Sequence, residues 1–160
     1  MLTQFRVCSK AMPYPAIEYA NAFSKHRQPL LALLEQISPQ DGDFRIRADA
    51  MGFHQMLDHL SLTDGYLLDV LAGRKFIPAT ASSDFSSALL QLKTSTLKVQ
   101  QLLENLTEQQ LTQEIKAFGQ TWKAYQLIDF GREHEAHHKG QLWMMARAVG
   151  VEPPMFYQFS

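Results

Sequence analysis

The sequence predicts an all-α protein that folds as a four-helix bundle. Apolar residues recur at helical spacing in four long stretches of the 160-residue chain. Turn-forming residues separate these stretches, and none alternates apolar and polar residues between hairpin turns, so we expect no sheet. Four long amphipathic helices in one chain bury their apolar faces most simply against one another.

The first two predicted helices cover residues 15–37 and 49–72. Pro29 lacks a donor N–H, so it should kink or divide the first helix. The Ser, Pro, Asp and Gly residues of segment 38–42 predict a turn. Gly73 fits the position just past the second helix, where a left-handed backbone is favoured.

The third predicted helix begins after Ser82 or Ser83 and runs to about Asn105. The fourth begins after Thr121 and runs to about Val149. These two helices complete the predicted bundle.

Shorter signals surround the fourth helix. Thr107 and Gln110 have the spacing of a capping box for a short helical turn, and Gly119 predicts a break. Gly150, followed by Pro153 and Pro154, should end the last helix.

Composition limits the function classes. Hydrophobic residues make up 46% and charged residues 19%, which is typical of a globular domain and not of a disordered chain. The net charge of -1 offers no basic surface for nucleic acid or an anionic membrane. No run of eighteen apolar residues predicts a bilayer span. We expect one domain over residues 1–160, with an N-terminal extension at 1–15 and a C-terminal tail at 151–160.

The cysteine content and the N-terminus both favour the cytoplasm. Cys8 is the single cysteine, so no internal disulfide can form, as is usual in a reducing compartment. Residues 1–10 lack the apolar core of a secretory signal. We expect Cys8 to be an incidental thiol rather than a nucleophile.

Two histidines interrupt the apolar face of the fourth helix. Following that face at steps of three and four residues places His134 and His138 where apolar side chains are expected. Their i, i+4 spacing puts the Cβ atoms about 5–6 Å apart. Two such imidazoles can converge on one metal ion. The alternative is a pair of core histidines that hydrogen bond to neighbours, although leaving either unpaired would cost roughly 1–3 kcal/mol.

His59 is the candidate third ligand. It lies at the edge of the apolar stripe of the second helix, about 20 Å from the end of that helix. His134 and His138 lie about 20–25 Å from the start of the fourth helix. If the two helices are antiparallel neighbours, the three rings meet at one level of the bundle. The alternative for His59 is a polar residue at the boundary of the core.

Two blocks of the chain resemble the DinB-like family of small bacterial metalloproteins. The sequence MLDHL at 56–60, continuing to residue 73, resembles the first conserved helix of that family. HEAHHKGQL at 134–142, with GVEPP at 150–154, resembles its last-helix signature, although Lys139 stands where arginine is commoner. The resemblance covers most of the chain from about residue 50.

This resemblance implies an up-down-down-up four-helix bundle that holds a divalent metal, nickel or zinc, with His59, His134 and His138. It also implies a homodimer. Some family members are transferases that use low-molecular-weight thiols such as bacillithiol or mycothiol. We therefore expect a metal-dependent thiol S-transferase with a small-molecule thiol and an electrophile as its substrates. The second hypothesis is a metal-binding or structural bundle protein without turnover.

A third hypothesis comes from the HEAHH sequence at 134–138, which matches the His-Glu-x-x-His motif of zinc hydrolases. In that interpretation Glu135 is the general base. The downstream third ligand of such enzymes is absent, since Met144 occupies its place. This hypothesis therefore ranks below the other two.

Three polar residues lie within sequence reach of the imidazoles: Asp58, Thr63 and Glu135. A metal-bound histidine usually donates its second N–H to an oxygen acceptor, which these side chains could supply. Gln141 shares a helix face with His134 and His138 and could line the cavity. The alternative for each of the four is a solvated surface residue. Glu135 and Gln141 are also the candidate catalytic side chains.

Overall fold

The computed structural model describes residues 13–159 and contains four long helices, one short α-helix, one β-hairpin and a single 3-10 turn at Pro39–Asp41, within the turn predicted at 38–42. In chain order the elements are α1 (Ala16–Leu34), α2 (Phe53–Leu71), α3 (Phe85–Glu104), α4 (Glu108–Thr112), β1 (Glu114–Ala117), β2 (Gln120–Lys123) and α5 (Ala124–Ala148). Cys8 and most of the expected N-terminal extension lie outside the described residues. No helix between residues 13 and 159 has the length and apolar character needed to cross a membrane.

The long helices run up-down-down-up, as predicted. Helix α3 is antiparallel to α1, α2 is parallel to α3, and α5 is antiparallel to α2. The contacts that define these directions are Arg27–Thr96 and Glu35–Lys93 for α1 and α3, Phe53–Phe85 and Asp64–Ser95 for α2 and α3, and His59–His134 and Leu67–Gly131 for α2 and α5. The antiparallel pairing of α2 and α5 brings the two histidine-bearing helices together.

The hairpin corrects the expectation that the chain contains no sheet. Strands β1 and β2 pair antiparallel, and each has four residues, which is too short for an alternating pattern to stand out in the sequence. Phe118 and Gly119 form the two-residue loop with φ values of 52° and 72°, as a type I′ turn requires. The break expected at Gly119 is thus the hairpin turn. Helix α5 consequently begins at Ala124, and Thr121 does not cap it.

Two other helix starts differ from the sequence prediction. Helix α2 begins at Phe53, four residues later than expected. Helix α3 is capped by Asp84, whose carboxylate accepts a hydrogen bond of 2.8 Å from the Ser87 N–H, and not by Ser82 or Ser83. Asp and Ser are equally good N-cap residues, so the local sequence could not show which of Ser82, Ser83 and Asp84 caps the helix.

The helix-ending glycines and the short helix agree with the prediction. Gly73 and Gly150 have φ values of 69° and 81°, the left-handed backbone expected past a helix end. Thr107 and Gln110 form the predicted capping box at the start of α4. The sequence was sufficient to predict these helix ends because each depends only on residues within one turn of it.

Pro29 does not divide α1, which is a single helix from Ala16 to Leu34. A proline cannot donate to the carbonyl four residues earlier, here that of Lys25. The backbone N–H of Gln158, in the C-terminal tail, donates to the Lys25 carbonyl at 3.0 Å. The tail therefore satisfies the carbonyl that Pro29 leaves free, an interaction that local sequence does not reveal.

Two apolar cores fill the bundle, and a buried polar layer lies between them. The first core includes Leu30, Leu57, Leu92 and Leu142. The second includes Phe23, Leu71, Leu103 and Leu127. The layer between them consists of Arg27, Asp64, Thr96 and Glu135. Each of the four long helices contributes one side chain to this layer.

Candidate metal centre

Three histidine side chains meet between α2 and α5. Nε2 of His134 lies 3.1 Å from Nε2 of His59 and 3.2 Å from Nε2 of His138. One nitrogen from each ring lies within 4.8 Å of the other two. The structure thus brings together the three residues proposed from the sequence, which we refer to as the three-His cluster.

The position of the three-His cluster follows from helix geometry. His134 and His138 are one turn apart on α5, so their rings project from the same side of the helix. His59 stands near the middle of α2, and the antiparallel packing of the two helices brings its ring to the same level. His138 is buried, whereas His59 and His134 are partly exposed, so solvent can reach one side of the cluster.

The environment keeps the imidazoles neutral. Burial, followed by the charges of the neighbouring imidazoles, lowers the pKa of His134 to about 4. Burial, followed by the charge of His138, lowers the pKa of His59 below its usual value. Burial also lowers the pKa of His138, although the hydrogen bond to Gln141 opposes this shift. Only a neutral imidazole has the free electron pair that binds a metal.

Gln141, which the sequence placed on the same helix face as His134 and His138, orients one ring of the cluster. Its amide oxygen lies 2.8 Å from Nδ1 of His138. An amide oxygen can only accept, so Nδ1 carries the proton and Nε2 presents a free electron pair to the cluster. This arrangement matches the usual support of a metal-bound histidine, whose second nitrogen donates to an oxygen.

The donor set fits a divalent cation. Bonds of about 2.0–2.1 Å at a tetrahedral angle place two ligand nitrogens roughly 3.3 Å apart. The observed Nε2 separations of 3.1 and 3.2 Å are close to that spacing. The Nε2–H of His134 could donate to only one of its two neighbours, so at least one of the two short contacts is not a hydrogen bond. A cation would accept all three electron pairs.

Asp58 and Thr63 hydrogen bond elsewhere. The Thr63 hydroxyl donates to the backbone carbonyl of His59, at 3.1 Å, and not to the imidazole. Asp58 accepts from the backbone N–H and hydroxyl of Ser82, and its carboxylate lies 3.5 Å from Nε2 of His54. Asp58 therefore ties the start of the α3 region to α2.

Glu135 belongs to the buried polar layer and is not part of the three-His cluster. Its Oε2 accepts from Nε and Nη2 of Arg27 at 3.1 and 2.7 Å. Arg27 also donates to both carboxylate oxygens of Asp64 and to the Thr96 hydroxyl. Burial alone would lower the pKa of Arg27, but the two carboxylates raise it above its usual value.

Sequence reasoning missed this layer, although a signal was present. Arg27 and Asp64 fall on the apolar stripes of α1 and α2, where a charged side chain must be paired to be buried. Opposite charges at inward-facing positions of two helices could have been matched to each other.

The remaining histidines are His26, His54 and His137. His137 is exposed, and its ring packs against that of His138 at 4.9 Å between centroids. Nε2 of His54 lies 3.1 Å from the Ser82 carbonyl oxygen. The His26 ring packs against Tyr157. None of these three side chains contributes a nitrogen to the three-His cluster.

A cavity of about 320 Å³ adjoins the three-His cluster. His59 and His134 line one side of it, and aromatic side chains from several elements line the rest. One of these is Phe130 of α5. Another is Phe118, at the hairpin turn. The cavity was invisible to sequence analysis because the hairpin was not predicted.

Comparisons with known proteins identify the family. The DinB family model matches residues 9–160. The uncharacterized protein YjoA of Bacillus subtilis (strain 168) is 30% identical over an alignment of 141 residues, with 85% of this chain and 92% of YjoA covered.

Solved structures agree with this match. The crystal structure of the DinB-like protein YjoA from Bacillus subtilis has a TM-score of 0.78 and 29% identity, covering 89% of this chain and 99% of that one. A DinB-like protein from Bacillus cereus ATCC 10987 has a TM-score of 0.74 at 15% identity, with 87% and 95% of the two chains covered, and shares the fold. The chain is therefore a member of the DinB family, with a three-His cluster compatible with a metal ion.

Proposed function

We propose that His59, His134 and His138 bind a divalent cation, nickel or zinc, and that the protein is a metal-dependent S-transferase that uses a low-molecular-weight thiol. The observation that supports this proposal is the convergence of three neutral imidazole nitrogens within 4.8 Å at a partly exposed position. Three protein ligands leave a coordination position for a substrate, whereas structural zinc sites have four protein ligands.

The chemistry of the reaction follows from the donor set. A cation held by three neutral ligands keeps its full positive charge, which favours the ionised form of a thiol near neutral pH. In the transfer, a carbon–sulfur bond forms between the thiol sulfur and the electrophilic carbon. The leaving group departs with its bonding electron pair, and the thiol proton passes to solvent.

The chain's own side chains contribute orientation. Gln141 holds the proton of His138 on Nδ1, so that Nε2 keeps its electron pair for the cation. Burial keeps all three imidazoles unprotonated at neutral pH. The partly exposed His59 and His134 stand beside the cavity, where an electrophile can approach.

The hydrolase alternative has less support, because the Glu135 carboxylate accepts two hydrogen bonds from Arg27. A general base must reach the proton that it removes, and this carboxylate is engaged on the other side of the helix. The metal-binding protein without turnover remains the principal alternative. Activity measurements separate it from the transferase.

Metal stoichiometry of the purified protein tests the site. We expect about one divalent ion per wild-type chain, and substantial loss in each of His59→Ala, His134→Ala and His138→Ala. His54→Ala is the matched control and should retain the metal, because His54 bonds to the Ser82 carbonyl outside the cluster. Full occupancy in any two of the cluster variants would contradict the proposed site.

An assay of thiol consumption then tests the transferase. Cysteine, bacillithiol and mycothiol should be offered with a panel of alkyl and aryl electrophiles, with and without prior removal of the metal by a chelator. We expect consumption that is lost with the metal and restored when it is added back. A metal-loaded protein that consumes none of these thiols would favour the binding protein without turnover.

A further inference from the structure

The cavity beside the three-His cluster has an aromatic wall. The wall consists of Tyr66 from α2, Phe76 from the α2–α3 connection, Phe118 from the hairpin turn and Phe130 from α5. The Tyr66 ring lies 5.3 Å from that of Phe76 and 5.2 Å from that of Phe118, and the Phe118 ring lies 5.7 Å from that of Phe130. The four rings therefore form one continuous surface.

The chemistry of the cavity favours an uncharged ligand. Among the described residues that line it, none carries a formal charge when the imidazoles are neutral. The Thr63 hydroxyl, which could offer a polar contact, already donates to the His59 carbonyl. A volume of about 320 Å³ lies in the range of small-molecule sites, which are mostly apolar with a few polar groups at one end. Here the polar end is the imidazole pair of His59 and His134.

Phe118 is the most informative residue of the wall. Its φ of 52° is a conformation that bulky side chains rarely adopt, and 61% of its surface is exposed. Asn, Asp or Gly would satisfy the same turn without that strain. The Phe118 side chain is only partly buried in the free protein, and contact with a ligand ring would bury more of it. Strained residues of this kind concentrate at ligand sites.

We propose that this cavity binds the planar apolar ring of an aryl electrophile and holds the reactive carbon of that substrate next to the three-His cluster. Aromatic rings pack favourably in offset or edge-to-face geometry, and the wall offers ring surfaces in several orientations. That this ligand is the electrophilic substrate rests on the proposed function. The ring-binding site itself does not depend on the metal.

Equilibrium binding of the neutral fluorescent probe N-phenyl-1-naphthylamine to metal-free protein tests the site. We expect saturable binding of one probe per chain. Phe118→Asn suits the turn and removes the ring, so it should weaken binding about fivefold or more. Phe130→Leu, which does not alter the turn, should weaken binding in the same direction.

Leu97→Asn is the matched control, because Leu97 is 72% exposed on α3 and does not line the cavity. It should leave probe affinity unchanged. Circular dichroism and thermal melting confirm that each variant is folded. Equal affinity in the wild type, Phe118→Asn and Phe130→Leu would overturn the proposal.

The molecular mass in solution, measured on the same samples, tests whether a second copy of the chain occupies this face. If the Phe118 and Phe130 variants convert a dimer to a monomer and the wild type binds no probe, the aromatic wall is a subunit contact and the proposal is overturned. If the Phe118 and Phe130 variants have the same mass as the wild type but bind the probe more weakly, the result supports a ligand site.

Kinetics with 1-chloro-2,4-dinitrobenzene and cysteine extend the test to the substrate. In this reaction a carbon–sulfur bond replaces the carbon–chlorine bond, chloride leaves with the electron pair, and the thiol proton goes to buffer. Phe118→Asn should raise KM for this aryl substrate about fivefold and should change KM for iodoacetamide, which has no ring, much less. Equal effects on both substrates would contradict an aromatic site.

The two proposals fail separately. Probe binding by a chain that takes up no metal would refute the proposed function and leave the ring-binding site in place. A metal-loaded transferase whose probe affinity is insensitive to both phenylalanine substitutions would refute only the ring-binding site.

Discussion

Nη2 of Arg27 lies 2.7 Å from Oε2 of Glu135, the residue that immediately follows His134. The ion pair joins α1 to α5 in the centre of the bundle, with both side chains almost fully buried. Adjacent residues on a helix face different sides of it. The bond that holds Glu135 toward Arg27 therefore also limits the rotation of α5 and helps to direct His134 toward α2.

Removing the Arg27 side chain should lower the free energy of unfolding substantially. Arg27→Met leaves the carboxylates of Asp64 and Glu135 buried without a counter-ion, which typically costs about 3–5 kcal/mol of unfolding free energy. Urea denaturation of metal-free protein measures this loss. Arg47→Ala is the control, because the Arg47–Asp49 pair is largely exposed and should contribute at most about 1 kcal/mol. A loss below about 1 kcal/mol for Arg27→Met would contradict the role of the layer.

Gln141 should control metal affinity through His138. Gln141→Ala removes the acceptor of the Nδ1 proton, and loss of such a partner commonly weakens metal binding about 10–100-fold. Gln141→Glu keeps an acceptor and should retain most of the affinity. Competition with a chromophoric chelator measures both variants. Identical affinities for the wild type and Gln141→Ala would show that the ring needs no support from this side chain.

Lys139 should hold the C-terminal tail in place. Its buried Nζ donates to the backbone carbonyls of His26, at 2.7 Å, and Phe156. Lys139→Met should free residues 153–159 and cost about 1–3 kcal/mol, because the carbonyls lose a charged donor. Hydrogen exchange by mass spectrometry should show faster exchange in the tail. The control Lys98→Met, at an exposed site on α3, should leave hydrogen exchange in the tail unchanged.

His26 should make the protein less stable in mild acid. Burial, followed by the charge of Lys139, lowers its pKa in the folded state below 6.5, with Arg132 acting in the same direction and Glu135 opposing. Its ring also packs against Tyr157. The unfolded chain therefore takes up the proton at higher pH than the folded chain.

The sign of the effect follows from this order of protonation. The stability that depends on neutral His26 is fully present above pH 6.5, and it falls as the pH decreases from there toward the folded-state pKa. His26→Leu should give a flatter curve of unfolding free energy against pH between 7.5 and 5.5. Denaturation of metal-free wild type and variant at each pH measures the difference, and parallel curves would show that His26 has no such role.

Local sequence predicted the elements whose causes are local. The apolar spacing of four stretches indicated four helices, and Gly73, Gly150 and the Thr107 capping box marked helix ends correctly. The hairpin escaped prediction because its two strands are short and depend on a turn at Phe118 and Gly119. The continuity of α1 through Pro29 also escaped, since the compensating donor is the N–H of distant Gln158.

The pairing of His134 with His138 was determined by the sequence alone, because a spacing of four residues on a helix leaves no other arrangement. Tertiary structure decided that His59, and not His26 or His54, completes the cluster, since only the antiparallel contact of α2 with α5 brings its ring to their level. Tertiary structure also decided that Glu135 accepts a hydrogen bond from Arg27, whereas Gln141 accepts one from His138. Spacing along one helix fixes which side chains share a face, but the partners on that face belong to other helices.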